Sequence, residues 1–140
     1  MDVKVVLSLD EILRGLKHYR RIAKQDLLRA DDTDDPERFR AHAEARRSVY
    51  AWLTELAESQ TPSDVVREAL EHYRTLPFVT GTPDQEHVDI KAREKALENF
   101  FLMIGLEPKI RREVRSSRPK LADVAAQQNT GAGGANARLS

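Results

Sequence analysis

Apolar side chains recur along most of this chain at alternating steps of three and four, the signature of amphipathic helices with one buried stripe and one wet face. Leu9, Ile12, Leu13, Leu16, Tyr19, Ala23 and Leu27 make the first stripe. Phe39, Ala43, Val49, Tyr50, Trp52, Leu53, Leu56 and Ala57 make the second, and Val65, Val66, Ala69, Leu70, Tyr73 and Leu76 the third. A fourth runs through Val88, Ala92, Ala96, Leu97, Phe100, Phe101 and Ile104. Here Phe100, Phe101, Leu102 and Ile104 nearly encircle the helix, which predicts either deep burial within the chain or an assembly surface.

Helix punctuation falls between the stripes. Ser8 and Glu11 have capping-box spacing, so the first helix is expected to start there and to end near Ala30. Residues 31–35 carry too much like charge to continue it, and Asp35-Pro36 suits the cap and first turn of the next helix. So short a connection predicts an antiparallel hairpin. Thr61-Pro62 repeats the cap-then-proline pattern, Pro77 ends the third helix, and Thr82-Pro83-Asp84-Gln85 is expected to open the fourth. Gly105 and Pro108 then make a stop and a restart, leading into a short cationic helix. Residues 3–7 read as a short β-prone arm, and residues 122–140, rich in Ala, Gly, Gln and Asn, as a flexible tail.

Composition fits this picture. With 140 residues, 33% charged and 6% aromatic, the chain suits one domain of solvated helices around a modest aliphatic core. The absence of cysteine excludes disulfides, thiolate zinc sites and cysteine nucleophiles. No apolar run is long enough to span a membrane, and the first residues lack the pattern of a secretory signal, so a cytoplasmic protein is expected. The formal charge of zero conceals polarity: residues 1–108 hold 16 Lys/Arg against 21 Asp/Glu, whereas residues 109–120 hold six basic residues and only Glu113. An acidic body with a compact basic element can self-associate head to tail or reach a polyanion with one end.

Chemistry-bearing motifs are scarce. The acidic run at 31–35 fails as a calcium loop, because Pro36 replaces the glycine of an EF-hand and His42 the closing glutamate. His18, His42, His72 and His87 fall on separate predicted segments with no pair spaced to share a metal, and His42-Ala43-Glu44 lacks the cysteine half of a zinc deaminase signature. There is no phosphate-binding glycine loop, nucleophile elbow or paired-carboxylate motif. The chain is expected to be non-enzymatic, with neither metal nor cofactor.

The basic element is the better signal. Lys109, Arg111, Arg112, Arg115, Arg118 and Lys120 are spaced so that Arg111, Arg115 and Arg118 share one helical face while Ile110 and Val114 share another. Such a helix would dock by its apolar side and display cations outward, for salt-sensitive and sequence-blind contact with phosphates. Alternatively its cations complement acidic patches of this chain or of a neighbour.

The stretch from Thr82-Pro83 through Ile90, Ala92, Glu94, Leu97, Phe100 and Phe101 into Gly105-Leu106-Glu107-Pro108-Lys109-Ile110-Arg111 resembles the C-terminal part of one family of tailed-phage terminase small subunits. In that family a helix after a proline-bearing loop runs into a Gly-Leu-Thr-Pro-x-x-Arg corner. Gly105, Leu106, Pro108 and Arg111 match, and Glu107 replaces the threonine cap while still bringing negative charge to a helix N-terminus. The likeness is confined to the C-terminal third, and no separate helix-turn-helix reader stands out near the N-terminus. The resemblance implies a non-enzymatic subunit that forms an oligomer, engages viral DNA and delivers it to a large terminase subunit carrying the ATPase and nuclease.

Together these readings predict an all-α domain over residues 1–121: a helical hairpin plus two further helices in one small bundle, a short basic helix, then the tail at 122–140. The expected role is phage DNA packaging through binding, in the host cytoplasm, with Lys109, Arg111, Arg112, Arg115, Arg118 and Lys120 meeting DNA or an acidic partner. Gly105, Leu106 and Pro108 form the structural corner that aims them. The alternative is a helical adaptor or virion structural protein acting only through protein contacts.

Overall fold

In a computed structural model, residues 4–79 and 86–124 are described, and they form an all-α bundle with no β-strand among them. Its helices are α1 (Leu9–Leu28), α2 (Pro36–Ser59), α3 (Pro62–Thr75), α4 (Val88–Ile104) and α5 (Pro108–Ser116), with a 3-10 turn at Ala30–Asp32 between the first two. None of these helices is long and apolar enough to cross a membrane.

Local chemistry sets most of the boundaries. The Ser8 backbone N–H donates to Glu11 Oε1 at 2.9 Å and the Glu11 N–H donates to Ser8 Oγ at 3.2 Å, closing the expected capping box. Asp35 and Thr61 cap α2 and α3, accepting from the N–H groups of Arg38 and Asp64, with Pro36 and Pro62 in the first turns. The first helix stops at Leu28, two residues before the expected end, because the buried Ala30 begins the 3-10 turn that carries Asp31 and Asp32.

Helices α1 and α2 run antiparallel. Tyr19 stacks on Tyr50 at 5.4 Å, and nearer the connection Arg46 reaches Asp26 at 2.7 Å with both side chains largely buried. Helix α4 packs along α2 and α3, where Asn99 donates to the Tyr50 hydroxyl at 3.0 Å and Tyr73 meets Phe101 edge to face at 5.3 Å. Near the start of the bundle, a Cβ at Gly15 would overlap the Met103 sulfur, so glycine permits the close approach of α1 to the end of α4. Phe100, Phe101 and Ile104 are consumed by the core and only Leu102 of that girdle faces outward, 76% exposed. Deep burial therefore accounts for the girdle.

Three boundary expectations are corrected. The fourth helix begins at Val88, after His87 in the left-handed region at φ 55°, and the expected start at Thr82-Pro83 lies outside the described residues. Residues 4–7 form no strand; Val5 and Leu7 pack on the core while Val6 between them is 90% exposed, keeping the alternation without a pairing partner. Residues 122–124, assigned to the tail, belong to a helical turn at 121–124, and residues 125–140 lie outside the described part.

Gly105 ends α4 at φ 72°, where its N–H donates to Leu102 O and the Leu106 N–H to Phe101 O, the bonding of a Schellman motif. A side chain at Gly105 would meet no atom within 4 Å, so the need for glycine is purely conformational. Gly105→Ala is expected to lower stability by about 1 kcal/mol through the left-handed backbone alone, measured as a shifted urea midpoint at unchanged m-value.

Candidate functional site

The corner at Gly105 and Pro108 sets α5 across the end of the bundle, where Leu106, Ile110 and Val114 pack on the core. The outward side carries Lys109 and Arg112, both exposed, with Lys120 exposed beyond the helix end. These three make no side-chain ion pair or hydrogen bond among the described residues.

The row expected to display cations is partly consumed by the fold. Arg111, Arg115 and Arg118 do lie along one side, but that side turns toward α4 and Phe78. Arg111 pairs with Glu98 at 3.7 Å, and the Arg115 guanidinium, although exposed, sits 5.3 Å from the Phe78 ring centre. Arg118 is 4% exposed and cannot meet DNA. Its Nε donates to Leu76 O at 2.7 Å, Nη2 to Pro77 O at 3.1 Å and Nη1 to Glu94 Oε2 at 2.7 Å. Its guanidinium also lies 4.5 Å from the Phe78 ring centre and 4.9 Å from that of Tyr73. The physical reason is the pair of carboxylates one turn apart on α4, Glu94 and Glu98, which draws two of the three arginines inward.

Glu98 also accepts from the Tyr73 hydroxyl at 2.8 Å. Burial, then the hydrogen bond to Glu98 and its charge, push the Tyr73 phenol up to about 12. Just past α3, Phe78 exchanges backbone bonds with the chain after α5: its N–H donates to Pro119 O at 2.7 Å and its carbonyl accepts from Leu121 at 2.9 Å. Tyr73, Phe78, Glu94, Glu98 and Arg118 thus bind α3, α4 and the segment after α5 into one unit.

Beside this unit runs an open groove of about 1040 Å³ between the α1–α2 connection, the first half of α2, and α4. Phe39, Phe78 and Ile90 give it apolar walls, and Glu94 and Glu98, already engaged by Arg118, Tyr73 and Arg111, lie along it. His42 lines it too, its Nδ1 accepting from Arg46 Nε at 3.0 Å, with burial and then the Arg46 charge lowering its pKa. Among the described residues no cluster of three or more His, Asp or Glu is arranged to hold a metal ion.

A second cavity of about 280 Å³ holds His72, whose ring lies 5.2 Å from that of Trp52. Its Nε2 is buried without a hydrogen-bond partner among the described residues. Burial, then the charge of Arg93, lower its pKa against the opposing pull of Asp89. The sequence offered no signal for this burial, since it depends on Trp52 and Arg93 arriving from other helices.

Two consequences are measurable. Replacing Arg118 by leucine strands two carbonyls and Glu94, and should cost about 3 kcal/mol in urea unfolding, with Arg118→Lys recovering only part because an ammonium cannot fork. His72 favours its neutral form in the fold, so an unfolded chain takes up its proton first. Stability should be full above the ordinary histidine value of 6.5 and fall as pH drops through it, with a shallower fall in His72→Gln and a remainder from His42. No family model, curated protein or solved structure matches the chain, so its site is read from its own residues.

Proposed function

We propose that this chain is a non-enzymatic component of tailed-phage DNA packaging, acting as terminase small subunits do: it assembles into a homo-oligomer and contacts DNA or a large packaging subunit. The carrying observation is the corner itself. A left-handed Gly105, a proline restart at Pro108 and an α5 anchored by Ile110 and Val114 hold Lys109 and Arg112 outward at the end of the bundle, with Arg115 at their flank. An anchored helix with a cationic outer face presents charge without a further ordering cost, which suits contact with phosphates. The contact set for this role is Lys109, Arg112, Arg115 and Lys120, without the buried Arg118 and with Arg111 committed to Glu98.

A second reading, a helical adaptor or virion structural protein, is favoured by the same commitment. Arg111 and Arg118 serve internal carboxylates, leaving α5 fewer free cations than the sequence offers. The two readings separate experimentally. On the packaging reading, native mass spectrometry shows a closed oligomer, and Lys109→Glu, Arg112→Glu and Arg115→Glu together weaken duplex DNA binding at low salt by at least about tenfold. A monomer at every concentration with no DNA affinity would transfer the assignment to the adaptor.

A further inference from the structure

We infer that the outer face of α1 is a second phosphate-binding surface, which tracks the backbone of double-stranded DNA through Arg14, Lys17, Arg21 and Lys24. This goes beyond the α5 reading and stands without it. The four residues follow one another at steps of three, four and three, which places them within about 80° of the helix circumference and along about 15 Å of its length. All four are exposed, and none makes a side-chain ion pair or hydrogen bond among the described residues.

Outside α1, most arginines among the described residues are ion-paired. Arg40, Arg46, Arg67, Arg74, Arg93 and Arg118 each close on a carboxylate. The acids nearest the far end of the row are already taken: Asp26 holds both Arg29 and Arg46, and Asp31 holds Arg40. At the near end Asp10 stands one turn before Arg14, and Glu11, which feels the Arg14 charge, is committed to the Ser8 cap. Along the row itself each neighbour three or four residues away is a like charge, an arrangement that disfavours the free helix and is relieved by an external anion.

The shape of the surface selects the anion. The apolar face of α1, with Ile12, Leu16 and Ala23 fully buried, is spent on the bundle, so the helix has no apolar face to lay into a bilayer. What remains outward is a row of regularly spaced cations, bounded on the same line by Asp10 before it and by the exposed Leu28 after it. A rigid, evenly charged row matches a rigid, evenly charged partner, and duplex DNA presents about one phosphate per 1.7 Å of axis. The row carries only lysine and arginine, with no Asn, Gln, Asp or Glu within it to select a base, so its evenly repeated charge is matched to the phosphate backbone and the contact is independent of sequence.

The test uses the full chain, a fluorescent random-sequence duplex and a salt titration upward from roughly 50 mM. Two variants are compared with the parent: R14Q/K17Q/R21Q/K24Q on α1 and K109Q/R112Q/R115Q on α5, each checked for unchanged helicity, since glutamine keeps helix propensity and the α1 positions are exposed. The α1 variant should lose affinity at low salt, and its log affinity should fall with log salt less steeply by about three to four. Loss confined to the α1 variant sustains this inference and overturns the DNA role of α5. Loss confined to the α5 variant does the opposite. Parent protein that binds phosphatidylserine vesicles but not the duplex, or that binds neither, overturns the inference.

Discussion

One guanidinium holds the C-terminal half of this molecule in place. Arg118 donates to the last carbonyls of the chain leaving α3, pairs with Glu94 on α4, and lies against the rings of Tyr73 and Phe78. A buried cation is costly unless every donor finds a partner, and here its hydrogen bonds and two aromatic faces replace the water it loses. Planarity matters as much as charge, because the same flat group stacks on rings while its edges reach acceptors in several directions. The return of the chain after α5 to Phe78, through the Pro119 and Leu121 backbone bonds, keeps Arg118 at that position.

Glu94 and Glu98 extend the same logic along α4. One carboxylate takes Arg118; the other takes Tyr73 and Arg111. The basic element is thereby divided into cations that hold the fold together and cations that face out. Lys109, Arg112 and Lys120 stay outward, while the arginine row that looks most exposed on a helical wheel is the one most used internally. The outward cations of α1 form no such ion pairs, and the apolar side of that helix is already occupied by the bundle. Runs of unpaired basic charge thus lie on α1 and α5 of a chain whose formal charge sums to zero.

The all-α class was legible in the sequence, as were the hairpin and the principal stops and starts, because each depends on residues within one turn of one another. Ser8 and Glu11, Asp35 and Pro36, Thr61 and Pro62, and Gly105 and Pro108 act through their own backbone, so their spacing alone determines what they do. The start of α4 was less legible, since no side-chain cap marks it and a left-handed His87 begins it instead.

What only the tertiary structure decided is which side chains are free. Spacing placed Arg111, Arg115 and Arg118 on one side, but whether that side met water depended on where α4 would bring Glu94 and Glu98 and where the chain after α3 would leave Phe78. The burial of His72 beside Trp52 and the close approach of Met103 to Gly15 were equally out of reach of periodicity. Periodicity reports which residues share a helical face; the partner of that face is set by packing between helices distant in sequence, and the cost of burying a charge is settled only by the acceptors that packing supplies.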